Sequence, residues 1–123
     1  MRHTSKKRAA YNRLHAQRRR EFLIEFPCCM VCGEPSVCVH EIARGACRKV
    51  AYGERCAWLA TCAVCNCGPL TDVSQWPVVR QLALKQQYDP EHYDRCRVNT
   101  MRGRCPEAIT EAEVCSYLTA ENQ

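Results

Sequence analysis

Cys29-Met30-Val31-Cys32-Gly33, answered by Cys62-Ala63-Val64-Cys65-Asn66, with Val39-His40-Glu41-Ile42 between them, is the stretch from which the fold is read. A two-residue spacer lets one tight turn supply two thiolates to a tetrahedral ion, and zinc takes such sulfurs at about 2.3 Å. The glycine after Cys32 permits the turn. Two such pairs, 29 residues apart, make Cys29, Cys32, Cys62 and Cys65 the candidate ligands of a structural zinc. Cys28 adjoins Cys29, but only Cys29 gives the two-residue spacer. One pair before a hairpin and one at a helix start form the treble-clef version of a zinc finger.

The neighbouring segments fit that arrangement. Residues 37–42 favour a strand by their β-branched content, and residues 56–61 are its expected partner. The basic segment 43–55 between them reads as a loop with one helical turn. A helix starting at the second cysteine pair would offer its amides and positive dipole end to thiolates or a metal-bound phosphate. Gly68-Pro69 breaks that helix early. Upstream, residues 5–26 lack Gly and Pro, place Tyr11, Leu14, Phe22 and Phe26 at rough helical spacing, and stop at Pro27. Downstream, a helix is expected from Asp72 or Ser74 to about Tyr88, with Trp76, Val79, Leu82 and Ala83 as a core-facing stripe. Residues 89–104 read as polar and irregular. Thr110-Glu111-Ala112-Glu113 has capping-box form, which predicts a last helix over 111–120. The class is therefore α+β: a small zinc module at 27–70, a basic helical arm at 1–26 and a helical extension at 71–123.

Composition limits what this chain can be. Of its 123 residues 46% are nominally hydrophobic, but 12 of these are cysteine, so the apolar core is small and a metal staple is expected. No apolar run is long enough to span a membrane, and the basic N-terminus is not followed by the apolar stretch of a secretory signal. The expected setting is a reducing cytoplasm, where paired cysteines hold metal rather than form disulfides. A disulfide-rich secreted domain fits poorly. Cys38, Cys47, Cys56, Cys67, Cys96, Cys105 and Cys115 fit no motif and read as buried fillers or exposed thiols. Residues 1–20 hold eight of the eighteen Lys/Arg and none of the thirteen Asp/Glu, so the remainder is acidic, with ten bases against thirteen acids. A basic arm on an acidic body suits contact with a phosphate backbone. Arg13, Arg18, Arg19 and Arg20 are its candidate contacts, and Arg44 is a further phosphate-holding candidate. His3, His15 and His92 read as surface residues.

The residues between the cysteine pairs suggest chemistry. Phosphodiester hydrolysis needs a base for the attacking water and a cation on the scissile phosphate. His40 and Glu41 offer a base and a ligand at neighbouring positions, and Asn66 offers a neutral oxygen ligand at a helix start. Zinc would hold the fold, and a hard divalent ion such as Mg²⁺ would serve the reaction.

The set Cys29-x-x-Cys32-Gly33, Val39-His40-Glu41-Ile42 and Leu59-x-x-Cys62-x-x-Cys65-Asn66 resembles the zinc-containing HNH endonucleases, or ββα-metal fold. The lead-in Arg20-Glu21-Phe22-Leu23-x-x-x-Pro27 resembles phage-borne members, and the resemblance covers about residues 20–67. It implies a metal-dependent DNA endonuclease that nicks one strand per site, with catalytic-metal ligands at His40 and Asn66 and the general base at Glu41. Phage endonuclease VII, a junction resolvase, is similar in having Asn directly after its last zinc cysteine. The chain departs from the pattern in carrying Glu41 where the base is usually His, and in lacking a bracing Asn near Cys56 or Ala57. Ligand hardness reverses the roles, with Glu41 on the ion and His40 taking the proton, so the pair is named and the division left open. The alternative reading is a non-catalytic, zinc-containing DNA-binding module.

Overall fold

The structure, a computed structural model, describes residues 5–43, 48–68 and 72–121. It is α+β: six α-helices and one two-stranded antiparallel sheet among the described residues.

Helix α1 (Lys6–Glu25) opens at Ser5, whose hydroxyl accepts from the Arg8 amide at 3.1 Å. It ends where Pro27 forces Phe26 out of helical geometry (φ −117°, ψ 77°). Strands β1 (Cys38–Glu41) and β2 (Trp58–Thr61) pair with Cys38 opposite Thr61, His40 opposite Leu59 and Glu41 opposite Trp58. Successive side chains point to opposite faces of a strand. Cys38 and His40 therefore lie on one face, with Val39 and Glu41 on the other.

Between the strands, the helical turn expected within the loop is helix α2 (Arg48–Gly53), and a 3₁₀ turn over Arg55–Ala57 follows it. Tertiary contacts hold α2, because its last carbonyls receive donors from elsewhere. The Ala51 carbonyl takes the Trp58 indole N–H at 2.8 Å, and the Tyr52 and Gly53 carbonyls take Arg19 and Arg18 at 3.2 and 3.4 Å.

Helix α3 (Ala63–Cys67) is a single short turn that stops at Gly68, as the Gly-Pro break predicts. Helix α4 (Val78–Tyr88) begins later than expected. Asp72 caps a separate 3₁₀ turn over Val73–Gln75, and Pro77 holds Trp76 extended (ψ 149°). The segment expected to be irregular contains helix α5 (Arg95–Met101). The Asp94 carboxylate caps it by accepting from the Arg97 amide at 3.0 Å, and Gly103 ends it at φ +74°. Buried Val98 and Met101 on a short polar helix left too weak a pattern to read in advance. Helix α6 (Glu111–Glu121) opens on the expected capping box, with Thr110 and Glu113 exchanging side-chain-to-amide bonds at 3.0 and 3.2 Å.

One core joins the three sequence segments: Phe22 from the arm, Met30, Trp58 and Leu59 from the module, and Leu82, Val98 and Val114 from the extension. Trp58 meets Phe22 edge-on at 5.5 Å. Beside it runs a buried polar chain. The Lys85 ammonium is fully buried and donates to the Trp58 carbonyl and the Asp89 carboxylate, both at 2.8 Å. Asp89 also accepts from Arg55 at 3.2 Å, and Arg55 reaches Glu25 at the end of α1 at 2.9 Å. This chain ties α1, the strand β2 and α4 together.

Candidate metal centre and nucleic-acid interface

Two turns converge on one point. In the first, Gly33 adopts φ +83° and donates its amide to the Cys29 carbonyl at 2.9 Å, while the Val31 amide points at the Cys29 sulfur at 3.4 Å. In the second, Cys62 is the residue before α3, and its sulfur accepts from the Cys65 amide at 3.4 Å. The sulfurs of Cys29, Cys32, Cys62 and Cys65 all lie within 4.8 Å of one another and form a group that can hold a metal ion. The Cys32 and Cys62 sulfurs are 3.6 Å apart. A tetrahedral zinc with bonds of about 2.3 Å sets its sulfurs roughly 3.8 Å apart, so this donor set fits that ion.

The backbone favours the thiolate at Cys29. Burial opposes ionisation of Cys29, but the amides of Cys32, Cys62 and Val31 outweigh it and hold the thiol down at about 7. Cys28 is exposed and stands outside the cluster, as the spacer argument requires. The remaining described cysteines form no second group of this kind. Cys56 is a half-buried filler whose burial pushes its thiol up to about 11. Cys67, Cys105 and Cys115 are exposed, and Cys47 lies outside the described residues.

His40 and Glu41 stand on opposite faces of the sheet. His40 is only 2% exposed, and its Nε2–H donates to Gln81 Oε1 at 2.7 Å. Gln81, itself buried, donates its amide to the Trp76 carbonyl at 2.9 Å, so α4 sits over that face of the sheet. Glu41 points to the other face and pairs with Arg19 at 3.6 Å. The strand period of two sends these neighbouring side chains to opposite faces. Asn66 is half-exposed on α3, and its side-chain amide makes no hydrogen bond to a described residue. Gln81 was not legible as a partner of His40, because the contact spans 41 positions and no local spacing signals it.

The arm divides into two parts. Arg19 faces the body: it donates to the Tyr52 carbonyl at 3.2 Å, stacks over the Tyr52 ring at 4.4 Å and pairs with Glu41. Arg18 bonds the Gly53 carbonyl and lies 3.1 Å from His15 Nδ1. Burial and then the Arg18 cation lower the His15 pKa. These two arginines, expected as nucleic-acid contacts, are instead engaged with the body, because their positions on the helix fall beside Phe22. Arg13 and Arg20 are exposed. With Lys6 they repeat every seven residues, so the three cations line one outward stripe at intervals of about 10 Å. Lys6, Lys7, Arg8, Arg13 and Arg20 carry no ion pair or side-chain hydrogen bond to any described residue. In the body, Arg55, Lys85, Arg95 and Arg97 are each paired with acids. Arg80 stacks on Trp76 at 3.6 Å, and Arg102 and Arg104 near the end of α5 are unpaired among the described residues. Arg44 and His3 lie outside the described residues. His92, expected as an unpartnered surface residue, bonds Asp89 at 3.0 Å. No described helix is long and apolar enough to cross a membrane.

Compared with known proteins, the chain matches no family model, no curated protein and no solved structure.

Proposed function

We propose that this chain is a zinc-stapled, treble-clef-like DNA-binding module that grips the phosphate backbone through the outward face of α1 and does not cut it. The observation that carries the reading is the partition of charge. Lys6, Lys7, Arg8, Arg13 and Arg20 of the arm are exposed and make no ion pair with a described residue, whereas Arg55, Lys85, Arg95 and Arg97 in the body are each paired with internal acids. A row of Lys and Arg without local acids is held together only at a cost in repulsion, and an external polyanion relieves it. Zinc supplies the fixed corner between β1 and α3, and the buried chain from Trp58 to Glu25 carries that rigidity to the base of the arm.

The endonuclease reading draws its support from the register of His40, Glu41 and Asn66 with that family and from the open amide of Asn66. It requires His40 to exchange Gln81 for a cation and a substrate phosphate to reach a buried ring. The present packing supports binding over cleavage.

A fluorescence-anisotropy titration of a labelled duplex tests the proposal. Five unpaired arm cations set a ceiling of about −4.5 on the slope of log K against log salt, at about 0.9 per phosphate neutralised. Replacing Arg13 and Arg20 by Ala should flatten the wild-type slope by about 1.8. An unchanged slope would show that the outward stripe is not the interface.

A further inference from the structure

The metal centre is asymmetric in a way its ligand set does not require. Cys29 and Cys65 are 4% and 2% exposed, whereas Cys32 is exposed and Cys62 half-exposed. The two accessible sulfurs lie 3.6 Å apart, and they come from different turns. A tetrahedron has six edges, and only this one joins two ligands that both reach solvent. Accessible thiolates are the oxidisable ones, and a second thiolate at contact distance acts as the resolving group.

From this we infer that the Cys32–Cys62 edge is a peroxide-sensitive release point for the bound zinc. The inference rests on the reading of the four thiols as a zinc centre. The co-reactant is a hydroperoxide. The Cys32 thiolate attacks one peroxide oxygen, the O–O bond breaks, and hydroxide leaves to be protonated to water (or to an alcohol from an alkyl hydroperoxide). Cys32 is now a sulfenic acid. The Cys62 thiolate attacks its sulfur, the S–O bond breaks, and a second hydroxide leaves as water. The two sulfurs have together lost two electrons, the peroxide has gained two, and an S–S bond joins the two turns. Zinc keeps two buried ligands of its four and dissociates. Closing from 3.6 Å to a disulfide at about 2.05 Å asks for a movement of roughly 1.5 Å, within the reach of two side-chain rotations on turns the ion no longer pins. Cys29 is too buried to meet the peroxide first, so oxidation starts at an accessible sulfur.

The test uses the whole chain, purified with its metal, together with a variant in which the neighbouring spare thiols Cys28, Cys38 and Cys67 are all Ser. Zinc content is measured first. Hydrogen peroxide is then added in graded amounts, released zinc is read with a chromogenic chelator, and disulfides are mapped by mass spectrometry without reduction. The expected result is loss of one zinc per chain, stoichiometric with a Cys32–Cys62 disulfide, in both proteins, before the exposed Cys105 is oxidised, and reversed by dithiothreitol with added zinc. Zinc retained while Cys105 oxidises overturns the inference, as does release through any other pairing. A purified chain that contains and takes up no zinc overturns the metal reading itself.

Discussion

Replacing Asp89 by Asn tests the buried chain that fixes the arm to the module. Asp89 accepts from Lys85 at 2.8 Å, His92 at 3.0 Å and Arg55 at 3.2 Å, and Lys85 has no exposed surface. Burial works against the Asp89 carboxylate, but the Lys85, His92 and Arg55 donors together pull its pKa down to about 2 from the usual 3.8. By linkage that shift corresponds to roughly 2.5 kcal/mol of stability at neutral pH. Breaking a buried pair from one side costs about 3–5 kcal/mol, because the other charge is left without compensation. The two routes agree on about 3 kcal/mol, which for a chain of this length lowers Tm by roughly 12 °C. Thermal unfolding followed by circular dichroism, with the zinc concentration held constant, reads it directly. Changing Lys85 to Met in the same chain removes the stranded cation, so the double variant should be more stable than Asp89→Asn alone. A single variant within 1 kcal/mol of the parent, or a double variant no better than the single, refutes the reasoning.

The pH dependence of the same pair has a definite sign. The folded pKa of Asp89 is depressed, so its contribution is fully present above about pH 4 and disappears as pH falls toward 2, and the parent should lose its advantage over Asp89→Asn across that window in acid titrations. Burial lowers the Lys85 pKa to about 8, so the folded state sheds that proton first, and parent stability should rise relative to Lys85→Met between pH 8 and about 10. Arg19→Ala removes donors to α2 and the partner of Glu41. It should cost about 1–2 kcal/mol and speed hydrogen exchange in α2, with Arg19→Lys failing to restore the stacked, forked contact. A Cβ at Gly68 would collide with the Val64 carbonyl at the end of α3. Gly68→Ala should therefore weaken zinc retention in a chelator competition by about tenfold, through a displacement costing roughly 1–3 kcal/mol.

The parts of the molecule legible in the sequence are those written in short-range chemistry. The two cysteine turns, the arm bounded by Ser5 and Pro27, the break at Gly68 and the capping box at Thr110 each need only a few adjacent residues, and each stands where it was expected. Helix α2 was legible only as one helical turn in a loop, and α5 not at all, because their stability comes from tertiary partners: Trp58, Arg18 and Arg19 for α2, and the buried Val98 and Met101 for α5. The candidate site divides along the same line. Spacing sufficed for the thiol cluster, because a metal gathers residues through local turns. Register alone could not place His40 and Glu41 in one site, since strand alternation sends them to opposite faces and two distant residues, Gln81 and Arg19, hold them there. The concentration of Lys and Arg in the first twenty residues is legible from composition alone. Which of its arginines face outward depended on how Phe22 docks.

The proposed function has two halves, binding DNA and leaving it uncut, and one experiment measures both. Supercoiled plasmid is incubated with the zinc-loaded chain and Mg²⁺, with EDTA in a parallel sample, and run on agarose before and after removal of the protein. The expected result is a mobility shift that disappears on deproteinisation and leaves the plasmid supercoiled at every protein concentration. A relaxed product that accumulates with time, is suppressed by EDTA and is lost in His40→Ala would contradict it.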